Sequence, residues 1–133
     1  MKGDIMQAQP NEAVEFRLDD SKGWVDYPPE PGQIIEGEPR CRIKLIRTIG
    51  AATPMHRASL IDISPGKFRW RFAGDESWIV LQGRCVITLD NGRVLDCAKG
   101  HLGSVPAGHD SVWDVTEHFV KFVVNTSARA ERT

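Results

Sequence analysis

The sequence predicts an all-β protein of antiparallel strands, and three observations carry that prediction. Apolar and polar residues alternate with a period of two, most clearly from Lys67 to Phe72, where Phe68, Trp70 and Phe72 face one way and Lys67, Arg69 and Arg71 the other. Turn signals (SPG, AGD, QG, DNG, KG and PAG) punctuate the chain at short intervals. No segment carries a sustained helical period. This spacing implies a sandwich or barrel and not alternating βα units.

Taken in order, a first strand is expected at Ala13 to Leu18. The YPPEPG segment at Tyr27 to Gly32 is barred from a central strand, because proline donates no ladder hydrogen bond. Strands are then expected at Cys41 to Ile49, Arg57 to Ile63, Lys67 to Phe72, Ser77 to Leu81 and Arg84 to Leu89. Further strands follow at Arg93 to Cys97, Leu102 to Val105, Ser111 to Val115 and His118 to Val124. The 133 residues form one domain, long enough to bury a core without disulfides or metal. Residues 1–40 read as an N-terminal arm and first strand, 41–124 as the barrel, and 125–133 as a polar tail.

Composition narrows the function classes. Hydrophobic residues make up 41% and charged residues 26%, ordinary for a globular protein. A formal net charge of −1 gives no broad attraction to nucleic acid or anionic lipid, so neither is expected as a partner. The N-terminus carries no apolar run resembling a signal-peptide core, and no segment approaches a membrane span. Cys41, Cys85 and Cys97 form no CxxC pair. With Asn91-Gly92 as a two-residue hairpin turn, Cys85 lies across from Ala98 and Cys97 from Val86, which puts the two thiols on opposite faces. Reduced thiols and a cytoplasmic address follow as the expectation.

Gly66 opens, and Glu76 followed by Gly83 closes, a frame that resembles the first motif of the cupin superfamily: glycine, two histidines one residue apart, glutamate, then glycine. Gly100, Pro106 and Gly108 keep the frame of the second motif, with Ser111 at its histidine position. PGKFRW, LQGR and PAGxxxxW add to the likeness, which runs from Leu60 to Val124. The chain thus resembles the short single-domain cupins typified by the barrels of ureidoglycine aminohydrolase and the ethanolamine-utilisation proteins. The resemblance implies a cupin-type jelly-roll β-barrel, and a homodimer in which N-terminal strands are exchanged.

The departures from the motif carry the chemistry. Trp70 and Phe72 stand where the resemblance implies histidine ligands, and Ser111 replaces the third, leaving only Glu76. Useful metal sites need three or more nitrogen, sulfur or carboxylate donors, so no metal cofactor is expected. The histidines His56, His101, His109 and His118 read as surface or capping residues, except that His109 shares parity with Ser111 and Trp113 and leans toward the barrel mouth. What remains is an aromatic-lined pocket for a small organic ligand, walled by Trp70, Phe72, Trp78 and Trp113. For Phe68, Phe72 and Trp78 the reading as filled core comes first, and Trp70 and Trp113, at or near motif ligand positions, are the rings that suit a lined cavity.

Glu76 among indoles is desolvated, as an acid–base catalyst requires, with His109 or Ser111 assisting at the mouth. The competing reading pairs it with Lys121, the only charge in HFVKFVV, which keeps both groups ionised. The basic stripes at Lys67, Arg69 and Arg71, and at Arg40, Arg42, Lys44 and Arg47, read as solvated sheet faces. Two alternatives stand beside the metal-free binder. One is a metal-dependent aminohydrolase- or dioxygenase-like enzyme acting on a small nitrogenous or carbonyl metabolite; the other is a regulatory or interaction module with a filled barrel.

Overall fold

The structure, a computed structural model, describes residues 12–49 and 56–126. Its strands are β1 (Trp24–Asp26), β2 (Ile34–Glu36), β3 (Cys41–Ile49), β4 (His56–Ile63), β5 (Gly66–Arg71), β6 (Asp75–Leu89), β7 (Val94–Ala98), β8 (Leu102–Val105) and β9 (Asp110–Thr126). All pairings are antiparallel, and together they make the curled sheet of a jelly roll. The YPPEPG segment holds no strand; its end forms a 3-10 turn at Pro31–Gln33.

β9 organises the barrel. One edge of its C-terminal half pairs with β4, from His56↔Thr126 to Ile63↔Phe119, and its N-terminal half pairs with β5, from Gly66↔Val115 to Arg71↔Asp110. Its other edge runs against β6 from Leu89↔Ser111 to Asp75↔Thr126. β6 in turn carries β7 and β8 on its two halves, β3 lies on β4, β1 on β3, and β2 on β5. Alternate residues of these strands, with Phe72 just past the end of β5, build the core: Ile61, Ile63, Phe68, Phe72, Val80, Cys85, Ile87, Val115, Phe119 and Val123 are all buried. Each such side chain contributes about 1.5–3 kcal/mol on removal from water.

Several elements differ from expectation for identifiable reasons. The expected strand at Ala13 to Leu18 is irregular chain that ends in a turn at Leu18-Asp19. The runs 77–81 and 84–89 fuse into β6, and 111–115 and 118–124 into β9. The QG signal is not a turn: Gly83, at φ 78°, sits in a bulge where the ladder register shifts between Val80 and Cys85. A Cβ at Gly83 would stand 1.8 Å from the His118 carbonyl oxygen, so only glycine lets the two strands cross there.

The cysteine geometry is also corrected. The Leu89 amide donates to the Arg93 carbonyl and the Gly92 amide to the Leu89 carbonyl, so the loop is one residue wider than a two-residue turn. The register therefore moves by one, and Cys85 faces Cys97 directly, both as buried free thiols. Lys44 is not solvated. The arm from Phe16 to Asp26 folds over it, with Nζ donating to the Asp20 carbonyl (3.0 Å) and lying 4.4 Å from the Phe16 ring centroid. On the same face Arg42 binds Asp62 at 2.9 Å and stacks over Trp24.

Candidate functional site

The inner face of β9 presents Ser111, Trp113, Lys121, Val123 and Asn125 in strict alternation along its whole length, whereas β6 changes its inward parity across the bulge at Gly83. β5 adds Phe68 and Trp70, β4 adds Arg57, Ile61 and Ile63, and β6 adds Glu76. With Tyr27 from the N-terminal arm and Cys41 from β3, these strands enclose a cavity of about 150 Å³ walled by Trp70, Trp113, Arg57, Glu76, Lys121 and Asn125. The register explains the polar row at one end. Asn125 lies opposite Arg57 on one neighbour and opposite Glu76 on the other.

Glu76 and Lys121 meet as a buried pair. Lys121 Nζ donates to Glu76 Oε2 at 2.5 Å, and Asn125 Nδ2 donates to Oε1 at 3.0 Å, so both carboxylate oxygens are engaged. The lysine is 1% exposed, and its ammonium lies 4.3 Å from the Trp113 ring centroid and 4.6 Å from that of Trp78. Two ring faces and one carboxylate thus replace the water this cation has lost. Trp78 reaches that position because it packs on Gly103 directly across the ladder, where a Cβ would come within 2.4 Å of the ring.

Of the residues singled out in the sequence, the structure brings Trp70, Trp113, Glu76 and Lys121 to the cavity wall. Phe72 and Trp78 are buried in the core and do not line it; the Phe72 ring lies 5.9 Å from that of Trp113. Ser111 sits behind the wall. Its hydroxyl donates to the Trp70 carbonyl (2.6 Å) and accepts from Trp113 Nε1 (2.9 Å), which fixes the indole that faces the cavity.

His109 departs from expectation. Its Nδ1 is 2.7 Å from Asp90 Oδ1 in the β6–β7 loop, and it lies outside the cavity wall. The His109 side chain and the Asp110 amide hold the Asp90 carboxyl below its usual range. His56, His101 and His118 are exposed, His118 pairing with Asp62 at 2.8 Å. Among the described residues, no three His, Cys, Asp or Glu side chains gather closely enough to hold a metal ion.

Sequence reasoning missed Tyr27, Arg57 and Asn125. Arg57 shares parity with Ile61 and Ile63 on β4, a signal for an inward cation; Asn125 stood at the start of an apparent tail. Burial raises the thiol pKa of Cys41, in the cavity wall, to about 12, against the opposing pull of Lys121. The same desolvation pushes up Cys85 and Cys97.

Comparison with known proteins agrees with this architecture. The family model for the EutQ-like cupin domain matches residues 51–122. The fold is similar to a crystal structure of an ethanolamine utilization protein Q from Salmonella typhimurium LT2, with 17% identity over 67% of this chain and 71% of that one, and a TM-score of 0.58. It is also similar to EutQ of Clostridium difficile, at 20% identity over 66% of this chain and 70% of that one, TM-score 0.53. A protein of unknown function of the DUF861 family from Pseudomonas syringae pv. tomato DC3000 is 27% identical over 77% of this chain and 44% of that one, TM-score 0.68. No curated protein matches the sequence. Among the described residues no helix is long and apolar enough to cross a membrane.

Proposed function

The chain belongs to the EutQ-like cupin family, and we propose that it binds a small organic metabolite in the cavity at Trp70 and Trp113, without the superfamily's metal ion. One observation carries the reading: an apolar-walled space of about 150 Å³ whose one carboxylate among the described residues, Glu76, already has both oxygens bound by Lys121 and Asn125. Pockets of this make-up, apolar with a few convergent polar groups, are the usual form of a small-molecule site.

The residues at the motif positions do not fit a metal. Two are rings without a donor atom, and the Ser111 hydroxyl is committed to Trp70 and Trp113. Glu76 could join a coordination shell only by leaving Lys121 as a buried unpaired cation. The same pairing argues for Glu76 and Lys121 as the rigid floor of the site and against a free acid–base catalyst. The proposal includes a reducing, cytoplasmic setting, in which Cys85 and Cys97 stay thiols although they lie opposite one another.

Elemental analysis of the purified chain tests this reading, together with melting in the presence and absence of a strong chelator. The expected result is sub-stoichiometric Mn, Fe, Ni, Cu and Zn and an unchanged Tm. Stoichiometric metal whose removal lowers the Tm overturns it.

A further inference from the structure

We propose that the cavity takes a small organic monoanion, a carboxylate on an apolar or aromatic body, with Arg57 as its anion receptor. This rests on reading the cavity as a ligand site and adds the charge and size of the ligand.

The charges that reach the cavity decide the sign. Lys121 is matched by Glu76 at 2.5 Å, and Arg71, at the rim, is matched by Asp110 at 3.0 Å. With its two oxygens accepting from Lys121 and Asn125, Glu76 has little left to offer an ammonium group. Arg57 is different. Its Nε is buried and has no hydrogen-bond partner among the described residues, while its guanidinium lies 5.9 Å from the Tyr27 ring centroid. A buried donor without an acceptor is unfavourable, which leaves Arg57, a lining residue of the cavity, as the cation there still open to a ligand anion. The flat fork of a guanidinium matches the two oxygens of a carboxylate better than any neutral acceptor.

Volume and walls decide the body. A cavity of about 150 Å³ is the size that admits one benzene-sized molecule. Tyr27 and Trp70 meet edge to face at 6.1 Å beside Arg57, and Trp113 supplies a further ring. A ligand with its carboxylate on Arg57 therefore lays its apolar body against indole and phenol faces.

Benzoate, benzamide and benzylamine share one body and differ in charge, so they separate recognition of the anion from recognition of the ring. Each is titrated into the whole wild-type chain, reading the indole N–H signals of Trp70 and Trp113 by NMR, with W70F identifying the Trp70 signal. Benzoate is expected to bind at least ten-fold more tightly than the other two, with Trp70 responding. In R57Q the benzoate-to-benzamide preference is expected to fall toward one. Equal binding of all three, or tightest binding of benzylamine, overturns the anion assignment while leaving the ligand site standing; so does a benzoate preference that R57Q preserves. Silence from all three probes overturns the anion assignment and the ligand site together. Should R57Q fail to fold, the wild-type charge series decides by itself.

Discussion

Replacing Lys121 by methionine removes the ammonium that sits between the rings of Trp78 and Trp113 and against Glu76 Oε2. Methionine keeps most of the side-chain volume, so the loss is electrostatic. Glu76, 7% exposed, is left with Asn125 as its one remaining donor in the pair's network. Breaking a buried ion pair from one side costs about 3–5 kcal/mol. Against a typical domain stability of about 5–15 kcal/mol, K121M should stand near the edge of folding. E76Q strands the lysine instead; its amide oxygen still accepts a hydrogen bond, which puts the expected loss near the lower end, about 3 kcal/mol. The double variant E76Q/K121M buries no charge and should recover most of the loss, because neutral replacements of buried pairs are often close to neutral. The expected coupling, the two single losses less that of the double variant, is thus about 5–6 kcal/mol. Urea unfolding of the four proteins, followed by tryptophan fluorescence, reads it directly. Single losses below about 1 kcal/mol that add within about 0.5 kcal/mol would refute the account of a desolvated, mutually dependent pair.

Two further outcomes follow from positions outside that pair. G83A should lose at least about 4 kcal/mol or yield no folded protein, because its Cβ meets the His118 carbonyl at 1.8 Å. G92A, also at positive φ but with nothing within 4 Å, should lose only about 1–2 kcal/mol; equal tolerance in thermal melts would disprove the crossing geometry. The Cys41 thiol ionises near 9.0 in its ordinary state and at about 12 in the fold. Between those values the native chain retains a proton the unfolded chain has released, so stability is full below pH 9 and declines as pH rises. C41A should reduce that decline by ~1.4 kcal/mol per pH unit, and an unchanged slope between pH 9 and 11 would contradict it.

The strands were legible where alternation was uninterrupted: β3 and β8 have the ends the sequence implies, and β5, ending one residue before Phe72, turns Phe68 and Trp70 to the cavity and leaves Arg69 exposed. The lone charge in HFVKFVV was enough to pair Lys121 with Glu76, since a central strand leaves an isolated lysine few other ways to be satisfied. Register was not legible. One extra loop residue near Asn91 reversed the relation of Cys85 and Cys97, and local sequence does not state loop width. Gly83 looked like punctuation because a bulge and a turn both require positive φ. The site was half visible for a similar reason. Motif positions located Trp70 and Glu76, whereas Tyr27 and Arg57 come from strands and loops distant in sequence, joined only by the curl of the sheet.

The placement of β9 between β4, β5 and β6 has a consequence for how the chain acquires its shape. Ladders on both of its edges await residues 110–126, so a nascent chain cannot close the jelly roll until that stretch has left the ribosome. The β6–β7 hairpin can form earlier, but it has nothing to close upon. Such distant pairing puts the domain among slow folders, with closure in milliseconds to seconds once residues 110–126 are free of the ribosome. Until then the indoles and the lysine that will share the interior stand in water, apart.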